Sequence, residues 1–332
     1  MQRTDGTDTV PLWKGTLAPG EFLIRNEIGD WDVYGTDGVK KAPIIDVDPS
    51  INDFRLTGVT ATPIMIADST SLSTIFLAQY KGNRIALRNA AGVWELFKPA
   101  SEPSLAVTGR TTDLPFDIFA FSSAGVVTLE FLNWTNATTR ATGLVRQDGI
   151  WVKSGDTTRR WLGSCRARSA TTFHWVTQGV DLPCKFDLFN TDNRIEFSFK
   201  LTAATNTWTY TTATWRQAQA SANYQIDIMV GMQEENWRGI LAASSRNSTI
   251  SIPRHVGIGF DTTTAVSGLS AASANEVASI ENHQMATHTN QPGIGRHFYS
   301  WNEISTATGT CTWVGDDGAL RLQSGMTGEW VC

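Results

Sequence analysis

Apolar residues along this chain fall in short runs, broken by Gly, Asp, Asn and Pro. Arg84-Ile85-Ala86-Leu87-Arg88 and Phe116-Asp117-Ile118-Phe119-Ala120-Phe121 alternate in and out, the period of a half-buried strand. Similar runs occur at Phe22-Leu23-Ile24, Trp31–Tyr34, Ile64-Met65-Ile66, Ile75-Phe76-Leu77, Val93–Phe97 and Val126–Leu132. They recur at Arg159–Ser164, Phe186–Phe189, Ile195–Phe199, Thr207–Trp215, Tyr224–Val230, Ile240-Leu241 and Val256–Phe260. The last are Phe298–Trp301, Cys311–Val314 and Leu320-Arg321-Leu322. Asp148-Gly149 between Gln147 and Ile150 is a tight hairpin signal. No long stretch has a helical period. Residues 266–290, rich in Ala, Ser, Asn and His, read as a long exposed loop.

The pattern predicts an all-β protein. An extended arm over 1–20 leads into a small N-terminal β domain over 21–103. A jelly-roll-like antiparallel β-sandwich over 104–332 follows. Lys98-Pro99-Ala100-Ser101-Glu102-Pro103, with two prolines and no periodicity, is the predicted linker.

Composition sharpens this. The 332 residues include 42 Thr, 24 Ser and 13 Trp, types that favour strands or the turns between them. Hydrophobic content is 41% and charged content 18%, which excludes a charge-solvated disordered polymer. A net charge of −5 argues against a phosphate-backbone binder, so no nucleic-acid partner is expected. No run approaches the ~20 apolar residues of a membrane-spanning helix, so no membrane insertion is expected. Met1–Gly6 is polar with no apolar stretch after it, so no export signal is expected. Cys165, Cys184, Cys311 and Cys332 lack the close spacing of a zinc site, and read as reduced, partly buried thiols.

The chain holds no G-x-S-x-G, P-loop or H-E-x-x-H motif, and Gly257-Ile258-Gly259 opens no helix, so no cofactor and no catalytic residues are expected. His283, His288 and His297 cluster with Glu281, but at spacings that suit no metal constellation. The adjacent acids Glu234-Glu235 and Asp316-Asp317 would point to opposite faces of a strand, unlike a facing glycosidase pair. Asp5, Asp8, Asp46 and Asp48 lack the calcium-loop pattern and read as turn residues. Most of the tryptophans are predicted to fill the core, with one or two exposed. Asn133-Trp134-Thr135 and Asn236-Trp237-Arg238 combine a flat ring with polar partners, as sugar stacking requires. The candidate ligand-binding residues are therefore Asn236, Trp237, Arg238, His283 and His288.

Several ordered segments resemble tailed-bacteriophage virion proteins of the tail-fibre or head-fibre type. They include Trp134-Thr135-Asn136-Ala137-Thr138-Thr139-Arg140, Thr158-Arg159-Arg160-Trp161-Leu162-Gly163 and Trp208–Ala218. Gly295-Arg296-His297, Thr312-Trp313-Val314-Gly315-Asp316 and Gln323–Gly328 continue the series, and Tyr80–Leu87 precedes it. The resemblance covers most of 75–332 and departs from the pattern at 165–190. It implies a virion surface protein (a tail fibre, a head fibre or spike, or a decoration protein without a receptor role) assembled in the host cytoplasm and bound to other capsid or tail proteins, with no catalytic residues to carry over; a free carbohydrate-binding lectin-like module is the alternative reading. Host polysaccharide is the outward partner expected. Edge strands need covering, so self-association is expected, as a homotrimer or, at a capsid vertex, a pentamer.

Overall fold

The computed structural model describes residues 47–332 apart from Leu320 and Arg321, together with four short strands within residues 1–46. The chain divides into two compact units, 1–48 and 49–332. In the first, Gln2–Thr4 pairs with Thr9–Pro11 and Leu23–Glu27 with Asp30–Tyr34, both antiparallel. The rest of the expected arm over 1–20 lies outside the described residues.

The second unit is all-β, as the alternating pattern predicts. Its described helical turns are two short 3-10 turns, Ala218–Ala220 and Asp317–Ala319. One sheet runs in the order Ala271–Ser273, Arg254–Phe260, Gly295–Ile304, Gln225–Val230, Cys184–Phe186, Phe173–Val176 and Ser69–Leu72. A second runs Gln178–Val180, Glu196–Thr202, Gly325–Val331, Trp237–Asn247, Cys311–Val314 and Thr207–Thr209, with Asn282–Asn290 along the other side of Trp237–Asn247. Pairing in both is antiparallel except Gln178–Val180 with Lys200–Thr202 and Cys184–Phe186 with Ile226–Ile228.

Aromatic rings join the two sheets as a sandwich. Trp237 lies flat on Tyr299, with centroids 3.4 Å apart and planes 6° from parallel. Trp175 meets Phe197 edge-on at 4.9 Å, and Trp208 meets Trp301 at 5.7 Å. A third sheet holds Val126–Asn133, Pro115–Ser123, Asp156–Arg166, Ile150–Lys153 and Leu144–Gln147, with Leu188–Asn190 beside Asp156–Arg166.

Three expectations are corrected. Residues 49–103 belong to the same unit as 104–332, so Lys98–Pro103 is no domain linker. Ser69–Leu72 pairs with Phe173–Trp175, and the Arg160 guanidinium donates to the carbonyls of Pro49, Ile51 and Ala86 at 2.7, 3.1 and 2.9 Å. The prolines remove two backbone donors, which a crossing between paired strands does not need. Second, residues 266–290 are not one loop, because Asn282–Asn290 pairs over its whole length with Trp237–Ser245. Its inward positions are Gln284, Ala286 and His288, so the buried face carries a single small apolar residue between two polar ones. Third, Ile64–Ile66 forms no strand, and Thr207–Trp215 shortens to Thr207–Thr209. Leu320-Arg321 lies outside the described residues.

All four cysteines are buried thiols without a disulfide. Burial pushes Cys184 and Cys332 up to about 12 and Cys311 to about 11, which keeps the nucleophilic thiolate scarce.

Buried charge ties the third sheet to the sandwich. Asp227 on Gln225–Val230 meets Arg166 at 3.1 Å, Arg168 at 3.0 Å and Arg296 at 2.9 Å. Burial alone would raise its pKa, but the guanidiniums of Arg168, Arg166 and Arg296 outweigh it and hold Asp227 down to about 2. A depressed carboxyl stabilises fully above its unfolded value, and the contribution is lost as pH falls through about 2. Asp227→Asn removes the buried anion that Arg166, Arg168 and Arg296 share, although Arg166 keeps Asp113 and Arg168 keeps Asp187, and urea unfolding at neutral pH is expected to register a loss of ~3 kcal/mol.

Glu303 on Gly295–Ile304 shows the opposite shift. Burial pushes it up to about 7, although Arg216 and the Trp208 indole N–H, 2.9 Å from Oε2, favour the anion. The folded state therefore holds this proton more tightly than the unfolded chain, and stability falls as pH rises from about 4.5 to about 7. Urea midpoints at pH 5 and pH 8 are expected to differ less in Glu303→Gln than in the parent protein.

Candidate functional site

The strand Trp237–Asn247 alternates strictly over its first seven residues. Trp237, Gly239, Leu241 and Ala243 turn into the sandwich; Arg238, Ile240 and Ala242 turn out. Small residues make room for the indole. A methyl group on Gly239 would overlap the Trp237 ring, and one on Gly328 would come within 2.9 Å of it. The Trp237 side chain is thus a core element, 0% exposed, and cannot stack on a ligand. Asn236, in the loop before it, is exposed.

The two candidate histidines occupy opposite faces of Asn282–Asn290. His288 is buried beside Trp237, Phe260 and Tyr299. Burial pushes its pKa below the ordinary value, partly offset by a hydrogen bond to Asn290. His283 faces outward, its Nδ1 2.5 Å from Ser244 Oγ. His297 stands on the other sheet, 2.7 Å from Asp261. No group of three or more His, Cys, Asp or Glu side chains among the described residues could hold a metal ion.

Register brings Arg238 and His283 onto one surface. Arg238 pairs with Glu329 on one side and Thr289 on the other; Ile240 pairs with Thr327 and Thr287; Ser244 pairs with His283. Glu329 continues to Ser198, and Thr327 to Lys200. The outer face of the seven-stranded sheet is thereby a grid of exposed side chains across four adjacent strands. A groove of about 650 Å³ runs over it, bordered by Lys200, Arg238, Thr287, Thr289, Thr327 and Glu329 among others. A second depression of about 420 Å³ is lined by Ala242, Ser244, His283, Met285 and Gln323. The outward residues at 238 and 244 are six apart, about 20 Å along the strand at ~3.3 Å per residue.

Arg238 and Lys200 make no side-chain hydrogen bond or ion pair among the described residues. They lie two strands and two residues apart, so their Cα atoms are ~12 Å from each other. The groove therefore offers two free cationic donors, one carboxylate and a row of threonine hydroxyls. That set suits a hydroxyl-bearing polymer laid across strands. The sequence reading missed Lys200, Thr327 and Glu329. Alternation in Glu196-Phe197-Ser198-Phe199-Lys200 marks an outward set, but the strand that joins it to Arg238, Gly325–Val331, lies more than a hundred residues away in the chain.

The other sites weighed on sequence resolve as structural. Glu234 and Glu235 both reach Arg194, at 2.9 and 3.4 Å. Asp316 closes a turn by accepting the Gly318 N–H at 2.9 Å. Asp5, Asp8 and Asp46 lie outside the described residues. Over residues 47–332 no described tryptophan is exposed, and Trp134 is buried. Their large apolar area is worth most between sheets, which corrects the expectation of exposed stacking rings.

Arg238 and Trp237 separate core from surface in adjacent positions. Trp237→Ala is expected to cost ~3–5 kcal/mol in denaturant unfolding, and Arg238→Ala no more than ~0.5 kcal/mol.

No protein-family model matches the chain, and no curated protein matches it. Among solved structures, an insecticidal delta-endotoxin, Cry8Ea1, from Bacillus thuringiensis aligns at 6% identity over 84% of this chain and 51% of that chain, with a TM-score of 0.23. The infectious bursal disease virus Gx strain structure aligns at 10% identity over 80% and 72%, with a TM-score of 0.26. BuGH86wt in complex with neoagarooctaose aligns at 11% over 77% and 31%, with a TM-score of 0.23. The chain spans about half the length of the toxin it aligns with. At these scores the likenesses carry no argument.

Proposed function

We propose that this chain is a non-enzymatic surface protein of a tailed-phage-type particle, of the fibre or spike kind, whose seven-stranded sheet contacts host polysaccharide. The observation that carries the glycan contact is the groove over the outer face, with its unpaired Arg238 and Lys200. Glu329 is the single carboxylate in its lining, whereas glycoside hydrolysis ordinarily uses two facing carboxyl groups. The virion assignment rests on the ordered sequence resemblance over 75–332. In this reading the separate unit 1–48 is the attachment segment, and the unit 49–332 is the outward body. Self-assembly, as a homotrimer, belongs to the same reading.

The full-length protein on an array of bacterial capsule and lipopolysaccharide glycans is expected to bind at least one polymer. The double variant Lys200→Ala, Arg238→Ala is expected to lose about tenfold or more in affinity, with an unchanged melting temperature. Absence of binding to every glycan overturns the recognition role. Absence of the protein from purified particles, by antibody labelling, overturns the virion role separately.

A further inference from the structure

The charges in the sheet groove narrow the class of glycan it takes, a step that rests on the reading above that a glycan lies there. Register sorts the outward side chains into rows across adjacent strands. In one row Lys200 is followed by Thr327 and Ile240; in the next Glu329 is followed by Arg238 and Thr289. Lys200, Glu329 and Arg238 are exposed, and none of the three makes a side-chain hydrogen bond or ion pair among the described residues. Glu329 stands on the strand between the two cations, directly across from Arg238 and diagonal to Lys200. The cations themselves are ~12 Å apart at their Cα atoms. Ile240, 47% exposed, adds an apolar surface beside this diagonal.

That order of charge, positive then negative then positive, discriminates among polymers. A neutral chain meets Arg238 and Lys200 through ordinary hydrogen bonds. A carboxylate meets them through charge-assisted bonds about twice as strong, bidentate on Arg238. A chain with an acid on every ring brings one carboxylate over Glu329, and like charges set against each other across an interface repel. Nucleic acid, with one phosphate charge per ~1.7 Å of duplex axis, meets the same repulsion more often.

A chain in which acidic rings alternate with neutral ones satisfies the whole set. Successive carboxylates reach Lys200 and Arg238. The neutral ring between them donates hydroxyl or amide N–H groups to Glu329 and rests an apolar face on Ile240. The ~12 Å between the cations is of the order of a two-sugar repeat, and the groove of about 650 Å³ lies within the ~300–1,000 Å³ of ligand sites. We infer that the groove selects an acidic polysaccharide with one carboxylate per two-sugar repeat.

The test titrates the full-length protein with oligosaccharides by calorimetry. The probes are hyaluronan, heparosan and unsulfated chondroitin, each with one glucuronate per two-sugar repeat. The comparisons are the same oligosaccharides after carboxyl reduction, oligogalacturonate with an acid on every ring, and poly(glycerol phosphate) as a phosphodiester source of negative charge. At least one probe is expected to bind, more weakly as salt is raised, and carboxyl reduction is expected to weaken it by about tenfold or more. Glu329→Gln, its fold verified by its melting temperature, is expected to raise affinity for oligogalacturonate by about tenfold and to leave the alternating probe within about threefold. Silence from all three probes, unchanged affinity after carboxyl reduction, or no gain for oligogalacturonate in Glu329→Gln overturns the assignment. So does binding of oligogalacturonate or poly(glycerol phosphate) to the parent protein as tight as that of the best probe. A neutral glycan bound on the array then leaves the glycan reading standing without this one, whereas absence of binding to every glycan removes both.

Discussion

The charged cluster at Asp227 is the constraint on which the arrangement of the larger unit depends. Arg166 and the following Arg168 come from the end of the strand that crosses the third sheet, whereas Asp227 and Arg296 belong to neighbouring strands of the sandwich. Arg168 also holds Asp187, which is buried between two short strands belonging to different sheets. Charges removed from water in this way are costly unless each is matched. The cluster therefore contributes less as net energy than as a demand on geometry: the sheets can meet in the register that pairs these groups.

Around that junction the core is built from aromatic rings and the small residues that admit them. The Trp237–Tyr299 stack needs the absence of side chains at Gly239 and Gly328. The same strand that buries this ring turns Arg238 outward, so the packing that fixes the core also fixes the candidate binding face. The dependence runs one way. Outward residues can change with little effect on folding, whereas the inward set cannot, and a recognition surface on a rigid sheet gains pre-organisation from this.

Strands were legible where apolar and polar residues alternate, as at Val126–Asn133 and Glu196–Thr202, whereas Pro115–Ser123, expected to alternate in and out, is buried on both faces over its first six residues. They were hidden where the inward positions are polar or small. Asn282–Asn290 buries Gln284, Ala286 and His288, and Gln284 is satisfied there by the Arg254 carbonyl and Ser273. A hydrogen-bonded partner replaces hydrophobicity as the reason for burial, and no local pattern records the partner. Among the candidate residues, Arg238 and His283 share one face at separate depressions, while Trp237 and His288 meet inside, although each pair is singled out by the same local reading.

What the sequence by itself determined is the class of structure: period-two patterning, turn residues and a heavy supply of Thr and Trp leave an all-β chain as the consistent outcome. Local turn chemistry also located hairpins such as that at Asp148-Gly149. Tertiary structure alone decided which strands are neighbours, where the compact units divide and which polar side chains share a surface. The physical reason is that a strand's face is set locally by its pleat, but its partners are chosen by pairing across long stretches of chain. Lys200, Arg238, Thr289 and Glu329 share a groove because of such pairings.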